Sequence, residues 1–240
     1  INKMQRLTAW DIGAKQYEAV MGKKMAEASD SEIDAARQKV QAEVVRKNSG
    51  ILLVKTHNAL AITSGHPTIN MSITAGAIYI VRNPLDVAIS FANHIGRSID
   101  DAIRVMSTPG HRPPNSEKTA GEYYGSWSEN VASWTKAKND ALLILRYEDM
   151  HSDPEKAFGA LAAHLQQHAS KAQLQRAIEL SSFKVLKEQE KAHGFKEKPK
   201  HVETFFRSGK AGEWQDVLTE KQILTVRTLH GEQMEKFGYD

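Results

Sequence analysis

The chain has no cysteine among its 240 residues. That excludes disulfides, thiolate nucleophiles and cysteine-ligated zinc, and it fits a reducing, cytoplasmic setting. It also lacks any apolar run near the roughly 20 residues needed to cross a bilayer, so no membrane partner is expected. There is no basic block and no basic stripe interleaved with aromatics, so nucleic acid is not an expected partner. The formal net charge of +3 suits a small anionic ligand instead. Aromatic residues, at 7%, give no vote on the substrate. No internal repeat or interdomain linker interrupts the chain. It opens on Ile1 rather than methionine and carries no signal-peptide pattern, and we expect it to begin inside a longer chain.

What is present suffices for a core: 40% of residues are hydrophobic and 25% charged. The length fits one α/β domain, so residues 1–240 are read as a single domain. An apolar segment ending in a polar cluster occurs three times. Ile51-Leu52-Leu53-Val54 runs into Lys55-Thr56-His57, Ala77 to Val81 into Arg82-Asn83-Pro84, and Leu142 to Leu145 into Arg146-Tyr147-Glu148-Asp149. Helical segments lie between. This predicts an α/β fold with a doubly wound, mostly parallel sheet flanked by helices in three layers, its ligands beyond the carboxyl ends of the strands.

The second cluster says most. Ile78 to Val81 read as a buried strand with no polar face. Asn83 is a good helix N-cap, and Pro84 fits the first helical position, where its missing N–H costs nothing. Residues 83, 87 and 90 share a helical face, so Ser90 can point back toward Arg82. A strand end, a helix N-terminus, a guanidinium and a hydroxyl would make a site for a doubly charged phosphate. The same residues also suit a plain strand–helix joint whose arginine sits in a salt bridge.

Elsewhere, residues 1–30 read as short helices and loops around Leu7, Trp10, Ile12, Tyr17 and Val20. A helix capped by Ser29 or Asp30 runs to about Lys47, with Ile33, Ala36, Val40 and Val44 at helical spacing and Asn48-Ser49-Gly50 ending it. Residues 106–121, with Pro109, Gly110, Pro113, Pro114 and Gly121, are predicted to be a long surface loop and a candidate lid. Residues 126–139 resume a helix with Trp127 and Trp134 in the core. Asp153-Pro154 starts a helix to about Gln167, residues 184–201 read as a mobile solvated connection, and a last helix begins near Thr219-Glu220.

Lys55-Thr56-His57 sits where a parallel sheet presents catalytic groups. Histidine is well placed to take a proton near neutral pH, and a lysine two residues earlier on extended backbone projects to the same side. The alternative is a strand-end histidine bonded to backbone. Phe205-Phe206-Arg207-Ser208-Gly209-Lys210-Ala211-Gly212-Glu213-Trp214 is a basic glycine loop whose amides can approach an anion, or an ordinary turn before a helix. His164 and His168 stand i, i+4 on a predicted helix without a third ligand, so no metal is expected. Phe91, His94, Tyr123 and Tyr124 are candidates for an acceptor-pocket wall or for core.

Taken in order from about residue 51 to the end, these segments resemble the cytosolic-type sulfotransferases, which use 3′-phosphoadenosine 5′-phosphosulfate as donor. Lys55-Thr56-His57 resembles their catalytic segment, Tyr79 to Ser90 their 3′-phosphate-binding strand–helix element, and Arg146-Tyr147-Glu148-Asp149-Met150 with Asp153-Pro154 their mid-chain tyrosine segment. Ser181-Ser182-Phe183 resembles the adenine-contacting element, and Phe206 to Trp214 the C-terminal phosphate loop. The resemblance implies a P-loop NTPase-like sulfotransferase fold and in-line sulfuryl transfer to a hydroxyl or amine of a small-molecule acceptor. It implies that His57 is the base and that Lys55 touches the sulfuryl group. Arg82, Ser90, Arg207 and the Gly209 backbone would hold the 3′-phosphate, with Ser208 in the same loop. Tyr147, Ser181 and Phe183 would hold the adenine. Together they would surround one adenylate.

Three departures accompany it. No Lys/Arg-Ser-Gly-x-Thr-Trp loop for the 5′-phosphosulfate precedes Lys55. Residues 1–50 read as the segment downstream of that loop, so its strand and loop are expected to be missing from this sequence. Ser208 stands where many relatives carry lysine, with Lys210 nearby. Gln215, Glu220 and Leu224 stand where the family's dimerisation pattern has lysine, valine and glutamate, leaving the oligomeric state open. The alternatives are a catalytically silent module that binds 3′-phosphoadenosine 5′-phosphate (PAP) and a P-loop kinase-like phosphotransferase. The second needs a Walker-type Gly-Lys-Ser/Thr that is not seen here.

Overall fold

The computed structural model describes residues 2, 8–48 and 50–239. Ile1, Leu7 and Ser49, named above, lie outside them. In chain order the elements are β1 (Thr8–Trp10), α1 (Ala14–Met21), α2 (Asp30–Arg46), β2 (Leu53–Lys55), β3 (Ile62–Thr63), β4 (His66–Pro67), β5 (Ala77–Val81), α3 (Pro84–Ile95), α4 (Ile99–Met106), α5 (Trp127–Thr135), β6 (Leu142–Arg146), α6 (Tyr147–Ser152), α7 (Pro154–His164), α8 (Lys171–Leu180), α9 (Phe183–His193), α10 (Trp214–Val217) and α11 (Glu220–Lys236). The chain packs as two compact units. One takes the described residues of Lys3–Ala75 and Thr108–Ala137, the other those of Ile1–Asn2, Gly76–Ser107 and Lys138–Asp240.

The first unit is built on α2. Ser29 caps it in a reciprocal box with Glu32, which satisfies two amides at the helix start. Ile33, Ala36, Val40 and Val44 are buried with Ala14, Tyr17 and Met25, as their spacing predicts. β1 and β2 pair in parallel from Thr8↔Leu53 to Trp10↔Lys55. This corrects two expectations. A strand lies in the first thirty residues, where only helices and loops were read, because three residues are too few to show a period. β2 also starts two residues late, leaving Ile51 79% exposed.

The loop before α5 is tied down and is no free lid. Its backbone bonds α1 and the turn before it through Ala14 N–Lys118 O at 2.9 Å and Ala120 N–Ile12 O at 2.7 Å. Arg112 pairs with buried Asp34, and Asn115 Nδ2 donates to Asp30 Oδ1 at 2.8 Å. The fully buried Arg37 donates through Nη2 to the Gly121 carbonyl at 2.7 Å.

In the second unit β5 and β6 pair in parallel from Ala77↔Leu142 to Val81↔Arg146. The α/β class and the parallel pairing are as read. Among the described residues, however, the parallel strands form two separate pairs, because no strand bonds to both. β5 is correspondingly not buried throughout, with Ile80 52% exposed. Asn83 Oδ1 accepts from the Leu85 amide at 3.0 Å and starts α3, whose Leu85, Ala88, Ile89 and Ala92 are buried.

Residues 183–193 form α9 rather than a solvated connection. Its Lys/Glu-rich surface is one face only, because Glu190 is buried and accepts the amides of Phe205 and Phe206 at 2.7 and 2.9 Å. α7 ends at His164 and Gln166 adopts a positive φ of 55°, so His164 and His168 do not share a helical face.

His230 on α11 is buried, with Nε2 3.0 Å from Ser107 Oγ. Burial lowers its pKa from 6.5 to about 4. The folded state thus disfavours the proton that the unfolded chain binds. The contribution is whole above pH 6.5 and is lost as pH falls toward 4. We expect urea midpoints to decline over that window, and to decline less in His230→Gln. An identical decline in the variant would remove His230 as the cause.

Candidate functional site

The candidates fall into two groups, one in each unit. In the second unit the register explains the first group. Val81 and Arg146 are partners at the carboxyl ends of β5 and β6, so Arg82 and Tyr147 leave the sheet side by side. The Arg82 guanidinium carbon lies 4.3 Å from the Tyr147 ring centroid, a cation–π contact. Arg82 also donates through Nη2 to the Lys210 carbonyl at 3.2 Å. Its Nε is buried and meets no acceptor among the described residues. Glu148 clamps the same corner: Oε1 accepts the Asn83 amide at 3.0 Å, and Oε2 takes the Tyr239 hydroxyl at 2.7 Å.

The glycine loop is held to α3 by Asp86. This carboxylate, 2% exposed in the first helical turn, accepts the amides of Gly212 and Trp214 at 2.7 and 3.0 Å. Gly209 has φ of 61°, and a Cβ placed there would come within 2.1 Å of the Phe183 ring. Only glycine lets the loop pass that ring. Phe183 and Gly209 are therefore brought together. Arg207 is engaged by both oxygens of Glu213, at 2.7 and 2.5 Å, and Ser208 Oγ donates to Glu213 at 3.0 Å. The Arg207 guanidinium, then the Ser208 hydroxyl, hold the Glu213 carboxyl below the ordinary glutamate range.

Two residues are spent within their own helices. Ser90 Oγ donates to the Val87 carbonyl at 3.2 Å, and Ser181 Oγ to Ala177 O at 2.8 Å.

The second group lies in the first unit. His57 Nδ1 is 2.9 Å from Glu122 Oε2, while Oε1 of the same carboxylate accepts the His57 amide at 2.6 Å and the Thr56 hydroxyl at 3.3 Å. Burial alone would raise the Glu122 carboxyl. The hydrogen bond and charge of His57 outweigh it and hold Glu122 below its ordinary value. Tyr124 packs edge-on against the imidazole, with centroids 5.8 Å apart. Its hydroxyl is pushed up to about 12 by burial and by the Glu122 charge. Lys55 Nζ lies 5.3 Å from the Trp10 ring centroid. β2 ends at Lys55, and the two side chains meet different groups: the Trp10 ring for Lys55 and Glu122 for His57.

The sequence reading missed the carboxylates. Asp86, Glu122 and Glu213 each hold a candidate base, a cation or their loop, yet only Asp86 had a visible cue, its place in a first helical turn.

The chain belongs to the sulfotransferase domain family, whose model matches residues 4–238. It is 30% identical to dog sulfotransferase 1B1 over 200 residues, covering 80% of this chain and 64% of that protein. It is 27% identical to rat sulfotransferase 2A6 over 206 residues, covering 81% of this chain and 68% of the relative. The chain thus spans just under two thirds of the dog protein's length. Mouse sulfotransferase SULT7A1, solved in complex with PAP, shares the fold with a TM-score of 0.61 at 23% identity, over 80% of this chain and 68% of that one. A retinol dehydratase solved with retinol and PAP gives 0.61 at 22% identity, over 80% of this chain and 57% of that chain. Among the described residues, no helix is long and apolar enough to cross a membrane.

Asp86→Ala would leave two loop amides without their acceptor. A buried donor so orphaned costs about 1–3 kcal/mol. Urea denaturation is expected to show a loss of that order, with Asp140→Ala, a change at a side chain 96% exposed, leaving stability where it was. Equal midpoints for the two variants would refute the anchoring role.

Proposed function

We propose that residues 1–240 act as one sulfotransferase domain that transfers the sulfuryl group of 3′-phosphoadenosine 5′-phosphosulfate to a hydroxyl or amine of a small molecule. The observation that carries this reading is the corner where β5 and β6 end. There Arg82 stacks on Tyr147, and its buried Nε–H meets no acceptor among the described residues. A guanidinium at a helix N-terminus fits a phosphate dianion, and the aromatic face beside it fits a purine. Phe183 over the Gly209 turn adds a second aromatic surface in the same unit.

In this reading Arg82, Arg207 and the Gly209 backbone bind the 3′-phosphate, and Tyr147 and Phe183 bind the adenine. Ser90 and Ser181 must first leave their helical carbonyls to take the roles that the resemblance gives them. Lys55 stabilises charge on the group in flight. His57 accepts the acceptor proton as the acceptor atom bonds to sulfur and the bond from sulfur to the bridging phosphate oxygen breaks. The electron pair stays with that oxygen. As in phosphoryl transfer, positioning and charge stabilisation carry the rate.

A panel of phenols, alcohols, amines and sugars incubated with sulfur-labelled donor tests the activity. Labelled product is expected from at least one class, and its absence across the panel rejects the reading. With the best acceptor, His57→Ala is expected to lower kcat by about 10² to 10⁴, the worth of a positioned base. PAP affinity should be unchanged. Arg82→Ala should instead weaken PAP, in calorimetric titration, by about 1.5–3 kcal/mol for a lost charge-assisted bond. Unchanged PAP affinity would remove Arg82 from the site.

A further inference from the structure

We infer that Glu122 is the positioning residue for His57, fixing the imidazole in the tautomer that leaves Nε2 free to take a proton. The inference deepens the sulfotransferase reading and rests on it for the identity of the reaction. A carboxylate accepts only, so the ring nitrogen 2.9 Å from Glu122 Oε2 must be Nδ1–H. In a neutral imidazole the other nitrogen then holds the lone pair. The two side chains differ sharply in exposure, His57 at 54% and Glu122 at 4%. A buried carboxylate thus presents an accessible ring.

The carboxylate has little freedom to turn away. Oε1 is held by the His57 amide at 2.6 Å and by Thr56 Oγ1, so Oε2 is aimed at the ring. The backbone beneath the ring is fixed from both sides. Asn58, 1% exposed, accepts the Tyr123 amide on Oδ1 at 2.7 Å, and its carbonyl accepts Trp134 Nε1 of α5 at 3.0 Å. Asn130 Nδ2 donates to the His57 carbonyl at 3.2 Å. When the imidazole takes up a proton, the adjacent anion stabilises the imidazolium without itself being protonated. The same hydrogen bond therefore sets the starting tautomer and supports the charged product of proton transfer.

Glu122→Gln separates this role from a merely structural one. The glutamine carbonyl can still accept the His57 amide and the Thr56 hydroxyl, but its NH₂ faces Nδ1. The ring must then carry its proton on Nε2, the wrong tautomer for a base. Nitrogen-15 spectra of histidine-labelled protein are expected to show His57 protonated on Nδ1, switching to Nε2 in Glu122→Gln. Turnover of sulfated product should fall by about 10- to 100-fold, a part of what the base supplies. The acceptor KM and PAP affinity should move less than twofold, and Glu122→Asp should recover part of the loss. An Nε2–H tautomer in the unsubstituted protein overturns the inference, as does a Glu122→Gln protein with undiminished kcat. If no acceptor is sulfated, the sulfotransferase reading falls, while the tautomer measurement still decides whether Glu122 sets the state of His57.

Discussion

The first unit depends on one buried guanidinium. Arg37 has no exposed surface, and it reaches from α2 to the Gly121 carbonyl. The next residue in the chain is Glu122, which holds His57. The position of the candidate base is therefore set through two contacts joined by one peptide bond, starting from a helix whose apolar stripe fixes it in the core. Such a charge is costly to bury, and its Nε and Nη1 find no hydrogen-bond partner among the described residues. It is offset by Asp34 at 3.9 Å and by the Tyr17 ring face at 5.7 Å. Asp34 in turn is held by Arg112 from the loop itself. Buried ion pairs are poor sources of net stability, but breaking one by removing a partner costs about 3–5 kcal/mol. The cluster thus specifies where the loop lies more than it stabilises the fold.

A second regularity runs through both units: carboxylates accept backbone amides far away in sequence. Glu122 takes the amide of His57, Glu148 that of Asn83, Asp86 those of Gly212 and Trp214, and Glu190 those of Phe205 and Phe206. Charge-assisted bonds of this kind are roughly twice as strong as neutral ones. Each fixes the backbone of a segment that carries a candidate base, cation or aromatic. The functional residues that sequence reasoning picked out are cations, an imidazole, rings, three serines and a glycine, none of them acidic, and the groups that hold these segments are acids. An active site of fixed dipoles needs this second set, because its groups must be aimed before the substrate arrives.

This division decides what was legible in the sequence. Helix α2 was readable because its stripe and its Ser29–Glu32 box are local. The α3 start was readable because Asn83 and Pro84 declare it. β1 was not, since three residues paired with a strand 45 positions away carry no period of their own. Helix α9 was misread because its buried acid looks like one more solvated glutamate in a Lys/Glu run. Glu122 was invisible for the same reason: a carboxylate that bonds an amide 65 positions away has no neighbourhood signature. The neighbours of Lys55 and His57 were not legible either: Lys55 Nζ meets the Trp10 ring and His57 Nδ1 meets Glu122, each brought from elsewhere in the chain.

The Arg207–Glu213 pair raises the question of whether a self-satisfied guanidinium can still serve an incoming anion. Magnitudes answer it. The Arg207 side chain is 42% exposed, and exposed pairs contribute on the order of 0.2–1 kcal/mol. A hydrogen bond to a charged phosphate contributes about 1.5–3 kcal/mol, so in the proposed site a dianion would displace the carboxylate at a net gain. The pair has a use before that exchange. Glu213 is one residue from Trp214, whose amide Asp86 holds, so the carboxylate that grips Arg207 is itself anchored to α3. Arg207 is thereby kept folded against its own loop, and less rotamer freedom is lost when the anion binds. Arg82 reaches the same condition by another route, with a tyrosine face in place of a carboxylate. The ring does not cancel the Arg82 charge, which also acts on the Glu213 carboxyl that grips Arg207.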